Sequence, residues 1–303
     1  MRRDNLAELI GLGEPKVLDD HGGEITEGPL WHPDGYVTYV RLRESELVRW
    51  DADDGVRVIR RNTGGGNGCT FDAEGRLVMC HFGDRTVSRT EKDGTVTVIA
   101  ESYRGTQLNQ PSDIVRHRNG DLYFTDPYWS LPPEDRHLGY NGVFRLHPDG
   151  SLDLATDECE FPNGLAFSPD ESVLYVAITR RDQNCLKEVE NGGRCPHRYL
   201  RAFDVSADGS LSNNRVFFDM SDSDGAGWPD GLKVDVEGRI YCTGPGGVWV
   251  IGPEGEDLGL IDLGEVARNL AFGGSDMSTM YVTAGGSLYS LSTTTRGIPA
   301  YPA

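Results

Sequence analysis

The chain has 303 residues, 37% of them hydrophobic and 25% charged, with a formal net charge of −19. That apolar fraction can fill a sizeable core, while the excess of carboxylates repels phosphate backbones and anionic lipid, so neither nucleic acid nor a membrane surface is an expected partner. No run of about 18 apolar residues occurs, so no membrane-spanning helix is expected.

The opening MRRDNLAELIG carries two Arg but no apolar stretch of signal-peptide length, and a cytoplasmic location is expected. Helical periodicity ends there. Residues 1–20 read as an N-terminal extension packing on one domain, 21–303. Beyond it, short runs rich in Val, Ile, Tyr, Phe and Thr alternate with Asp-Gly, Glu-Gly and Asn-Gly turns, the pattern of β-hairpins.

One hairpin recurs six times: EGPLWHPDGYVTYV from Glu27, NGCTFDAEGRLVMC from Asn67, SDIVRHRNGDLYFT from Ser112, NGLAFSPDESVLYV from Asn163, DGLKVDVEGRIYCT from Asp230 and RNLAFGGSDMSTMYV from Arg268. The starts lie 40, 45, 51, 67 and 38 residues apart, the longest gap holding a polar insertion, RRDQNCLKEVENGGRCPHRYL, at 180–200. Further strands such as LVRWDADDGVRVIR and VFRLHPDGSLDLAT lie between the copies. Four strands per repeat of about 40 to 50 residues predict an all-β chain folded as a six-bladed β-propeller. A sandwich or a solenoid explains the six-fold recurrence less well.

Of six cysteines (69, 80, 159, 185, 195, 242) none forms a CxxC pair, which argues against a structural zinc site. Four fall in or beside predicted strands and read as buried thiols. Cys185 and Cys195 flank the insertion and would pair only in an oxidising compartment.

In a propeller, equivalent inner-strand positions ring the central channel. The opening residues of the six copies give such a ring: Glu27, Asn67, Ser112, Asn163, Asp230 and Arg268. Any one of them alone would pass for an ordinary turn residue. In a shared register, two carboxylates and an amide oxygen converge with room for water, which suits a hard divalent cation at a central metal site. Without a cation the carboxylates repel and one tends to protonate. About 14 residues on, the return strands end at Arg41, His81, Asp126 and Thr179, of which His81 and Asp126 are the stronger candidates for substrate contact. Gln107 and Asn109, entering the third repeat, are placed to hydrogen-bond a polyhydroxylated ligand. Tyr128, Trp129 and the Leu-Pro-Pro at 131–133 read as a loop over the same face.

At these residues the chain resembles the regucalcin/gluconolactonase/luciferin-regenerating-enzyme family, through EGPLW at 27–31, LNQPSD at 108–113, FTDP at 124–127, FPNGLAFSPD at 161–170 and WPDGLKVDVEGRIY at 228–241. The resemblance implies a six-bladed propeller, one divalent cation and hydrolysis of sugar lactones; more distant propellers of this kind hydrolyse organophosphates. It also implies that Glu27, Asn163 and Asp230 ligate the cation and that Asn109 binds substrate. Two positions depart: Ser112 stands where related members often carry Asn, leaving the fourth ligand a hydroxyl or a water, and Gln107 stands where an Arg is frequent, leaving the substrate open.

The leading expectation is a metal-dependent lactonase acting on a small-molecule substrate, with Asp230 as general base, Glu27, Asn163, Asp230 and Ser112 around the ion, and Asn109 and Gln107 holding hydroxyls. No GxSxG elbow is present, in keeping with chemistry that needs no covalent nucleophile. An oxygen donor set favours calcium, with magnesium, manganese, zinc or iron as alternatives. The rival readings are a metal-dependent esterase or phosphotriesterase and a non-catalytic calcium- or ligand-binding propeller. The sequence does not indicate an oligomeric state.

Overall fold

The computed structural model describes residues 6–22, 25–179 and 198–302. Most of the insertion, including Cys185 and Cys195, lies outside the described residues. Six four-stranded antiparallel sheets follow one another along the chain, and their innermost strands neighbour one another around a central channel. Blade 1 begins with Thr26–His32 and Tyr36–Arg41, blade 2 with Gly66–Phe71 and Leu77–His81, and blade 3 with Ile114–Arg116 and Leu122–Asp126. Blade 4 begins with Pro162–Phe167 and Val173–Thr179, blade 5 with Leu232–Val234 and Ile240–Gly244, and blade 6 with Ala267–Gly273 and Thr279–Ala284. The six-bladed all-β propeller expected from the repeat is the fold.

Turn chemistry explains why these runs form hairpins. In blade 2 the Asp72 Oδ1 accepts the backbone N–H groups of Glu74 and Arg76, and Gly75 takes φ +74°. The matching turn of blade 5 repeats the arrangement with Asp235, Glu237, Arg239 and Gly238 at φ +83°. A left-handed residue costs glycine little, and the Asp side chain satisfies donors the ladder cannot reach.

The apolar core lies between blades rather than in one centre. Val78, Leu122, Phe124 and Phe144 pack blade 2 on blade 3, and Tyr123, Phe167, Leu174 and Val176 pack blade 3 on blade 4. The short helix Leu6–Ile10 buries Leu6 and Ile10, four apart on one face, against blades 5 and 6.

Ring closure comes from the N-terminal segment. Lys16–Asp20 pairs antiparallel with Ser287–Ser292 and completes blade 6 as its outer strand. From there Asp19 reaches blade 1, where its Oδ2 accepts the Tyr39 hydroxyl at 2.5 Å and the Arg41 Nη2 at 2.8 Å. Cys69, Cys80, Cys159 and Cys242 are free and buried, as their strand positions suggested.

Candidate functional site at the blade convergence

Four of the six ring positions are held at irregularities of the inner strands, and Ser112 and Asp230 stand just ahead of their inner strands. Pairing slips between Glu27 and Leu30, Gly66 and Cys69, Pro162 and Leu165, and Ala267 and Asn269, so each of these strands bulges where its polar residue faces the channel. Threonines of the second strands pin the backbone there. Thr125 donates to the Asn163 carbonyl at 2.6 Å, and Thr243 donates to the Arg268 carbonyl at 2.9 Å.

Glycine follows the ring residue in blades 1, 2, 4 and 5 because the next blade leaves no room for a side chain. A Cβ on Gly164 would sit 2.2 Å from the Asp230 carbonyl oxygen, and one on Gly28 would sit 2.2 Å from that of Asn67. In blades 3 and 6, opposite each other in a six-fold ring, the following residues are Asp113 and Asn269. The Asn269 Nδ2 donates to the Asp113 Oδ2 at 3.3 Å, bridging the channel between those blades. The sequence reading missed this pair. Its signal was the break in the polar-then-Gly pattern at the third and sixth copies.

Glu27, Asn67, Ser112, Asn163, Asp230 and Arg268 all line one cavity of about 380 Å³. The Asn67 Nδ2 donates to the Ser112 Oγ at 3.3 Å, Ser112 donates to the Asn163 Oδ1 at 3.0 Å, and the Asn163 Nδ2 donates to the Thr179 Oγ1 at 3.1 Å. Thr179 in turn donates to the Pro229 carbonyl, beside Asp230. This directed chain fixes the amide of Asn163 and leaves its Oδ1 and the Ser112 Oγ each with a free lone pair.

Burial raises the Glu27 carboxyl to about 7, against a Gly28 N–H bond that favours the ion and with Asp113 adding to the rise. Burial also lifts Asp230 well above the carboxylate range, and the neighbouring Glu27 charge lifts it further. Arg268 opposes both shifts. Two carboxyls held together out of water are poised to be ionised by a cation.

Among the described residues there is no group of three or more His, Cys, Asp and Glu placed for a metal. The ring instead offers two carboxylates with neutral amide and hydroxyl oxygens. That donor set fits a hard ion such as calcium, magnesium or manganese better than one preferring sulfur or imidazole.

The other expected contacts lie off the cavity wall. Gln107 is exposed on the short Ser102–Tyr103/Thr106–Gln107 hairpin. His81 is buried with both ring nitrogens engaged, Nδ1 at 2.5 Å from the Thr63 carbonyl and Nε2 at 2.6 Å from the Ser88 hydroxyl. Asn109, fully buried, donates through Nδ2 to the carbonyls of Asp126 and Tyr140, both at 2.9 Å, and its backbone N–H bonds the Asp126 carboxylate at 2.7 Å. His81 and Asn109 brace the strand ends rather than the cavity.

What lines the wall is one residue further on. Leu42 follows Arg41 and Phe82 follows His81, and both face the cavity together with Ile25 and Trp129. Leu42 and Phe82 both stand one residue past the last paired position of their strand, in the turn that follows it. Trp129 belongs to the loop expected over this face and is held edge-on against Phe161, with ring centroids 4.9 Å apart.

The sequence profile of the SMP-30/Gluconolactonase/LRE-like region matches residues 25–286. The chain belongs to the SMP-30/gluconolactonase/LRE-like family. Within this family it is 30% identical over 296 residues to a gluconolactonase of Zymomonas mobilis, covering 90% of this chain and 79% of that one. It is 28% identical over 272 residues to a pentonolactonase of Haloferax volcanii, covering 88% and 84% of the two chains. A gluconolactonase structure from Xanthomonas campestris superposes with a TM-score of 0.79 at 31% identity, over 93% of this chain and 90% of the other.

Proposed function

We propose that the protein is a divalent-metal-dependent lactone hydrolase whose reaction takes place in the channel-mouth cavity. The observation that carries this reading is the convergence of Glu27, Ser112, Asn163 and Asp230 in one cavity, from blades 1, 3, 4 and 5. The lactone-hydrolysing relatives, aligned over most of the chain, supply the reaction class.

Glu27, Asn163 and Asp230 would hold the cation, with the Ser112 hydroxyl or a water completing the set. When bound, the ion supplies Lewis-acid stabilisation of negative charge at the lactone carbonyl oxygen. The chain's own residues do the rest. Asp230, which lines the cavity, takes a proton from the attacking water as the water oxygen bonds the carbonyl carbon. The ring C–O bond then breaks, and that proton passes to the departing alkoxide, leaving a hydroxy acid. Arg268, in the same lining, offsets the negative charge of Glu27 and Asp230.

The test is hydrolysis of δ-gluconolactone and simple alkyl lactones by purified protein in calcium, magnesium or manganese, with elemental analysis of the same sample. Asp230→Ala should lower kcat by about 10²-fold or more, the scale of a general-base contribution. Full turnover in metal-replete Asp230→Ala would rule out that role.

A further inference from the structure

We infer that the preferred lactone carries an apolar substituent on its ring rather than a full set of hydroxyls, an inference that rests on the lactone-hydrolase reading above. Beside the polar ring residues and Ser130, the cavity is lined by four apolar side chains, Ile25, Leu42, Phe82 and Trp129.

The backbone fixes that wall in place. The Leu42 N–H bonds the Ile25 carbonyl at 2.9 Å, and the Phe82 N–H bonds the Gly65 carbonyl at 2.9 Å. Both side chains therefore leave rigid strand ends rather than free loops. Beyond the ring residues, the lining carries two polar groups among the described residues: the Trp129 indole N–H, buried without a hydrogen-bond partner, and Ser130, already engaged with Gln110. Its N–H donates to the Gln110 Oε1 at 2.7 Å, and its Oγ accepts from the Gln110 Nε2 at 3.1 Å.

The residues expected to read hydroxyls do not line the cavity, although the Asn109 Oδ1 and the Asp126 Oδ1 are buried without a hydrogen-bond partner among the described residues. Both amide hydrogens of Asn109 and both ring nitrogens of His81 are bonded inside the protein, and Gln107 is exposed outside the cavity. A lactone with hydroxyls around its ring would place those that face Ile25, Leu42, Phe82 and the Trp129 ring against carbon, stripped of water with no replacement partner. An alkyl or aryl substituent gains from the same surfaces. The volume agrees: about 380 Å³ is within the range of roughly 300–1,000 Å³ that encloses a drug-sized ligand.

The experiment compares δ-decanolactone with δ-gluconolactone, which share the six-membered ester ring, as substrates of the full chain in calcium. Expected is a kcat/KM for δ-decanolactone at least tenfold higher, with the advantage mainly in KM. Phe82→Ser and Leu42→Ala should each lower the ratio of the two kcat/KM values by roughly tenfold, the scale of small changes in an apolar pocket. Leu42→Ala is the milder truncation and keeps the comparison alive should Phe82→Ser fail to fold. Preference for δ-gluconolactone, or variants that leave the ratio unchanged, would overturn the inference while leaving the hydrolase reading intact. Turnover of neither lactone would overturn both.

Discussion

At the scale of single residues, the best-defined chemistry outside the cavity is that of Asp126. It is fully buried, and desolvation raises its carboxyl to about 7 even though the Asn109 N–H favours the ion. A carboxyl raised on folding holds its proton more tightly in the native state. Its contribution to stability is complete below the unfolded value near 3.9 and is lost as pH rises through about 7. Asp126→Asn is uncharged throughout, so its stability relative to the parent should improve between about pH 4 and pH 8. The gain is at most about 4 kcal/mol, since each tenfold change in proton affinity is worth about 1.4 kcal/mol. Urea unfolding at the two pH values measures it, and an equal difference at both would mean that the carboxyl titrates normally.

At the scale of elements, the outer strand of blade 6 comes from residues 16–20, and it carries the clasp to blade 1. Arg41 is buried, and Asp19 with Glu46 supplies its ion pairs. Removing Asp19 leaves the Tyr39 hydroxyl without its acceptor and a buried guanidinium short of one partner. Asp19→Ala should destabilise the protein by about 2 kcal/mol, in the range for a buried hydrogen bond to a charged group. The loss should appear as faster amide exchange in 16–20 and in the second strand of blade 1. Unchanged exchange there would show that the clasp contributes nothing to closure. The same element shows a limit of sequence reading: Lys-Val-Leu-Asp-Asp has no turn signal tying it to the last repeat, since its partner strand lies some 270 residues away.

For the whole molecule, the proposed cation would join blades 1, 4 and 5 through Glu27, Asn163 and Asp230, and so act against unfolding as a cross-link between distant parts of the ring. With Glu27 raised to about 7, binding must displace a proton. Affinity should therefore rise from about pH 6 to pH 8. At a hundredfold excess of calcium over Kd the gain is about 2.7 kcal/mol, seen as an upward shift in Tm. Glu27→Gln should lose most of that shift. A Tm indifferent to calcium, magnesium and manganese at the higher pH would count against a cation site altogether.

The sequence by itself determined the propeller, the number of blades and the six positions that share one ring. Hairpin turns and the two-residue strand period are local, and recurring copies add their signals, so Glu27 and Asp230 could be placed together across some 200 intervening residues. Tertiary structure alone decided which side chains at the strand ends face the cavity. Past the last ladder bond no period remains, and one residue separates His81, locked between two hydrogen bonds inside blade 2, from Phe82 on the wall. It also decided that Asn109 turns inward, because its amide meets the Asp126 and Tyr140 carbonyls, two partners that no spacing in the chain reveals.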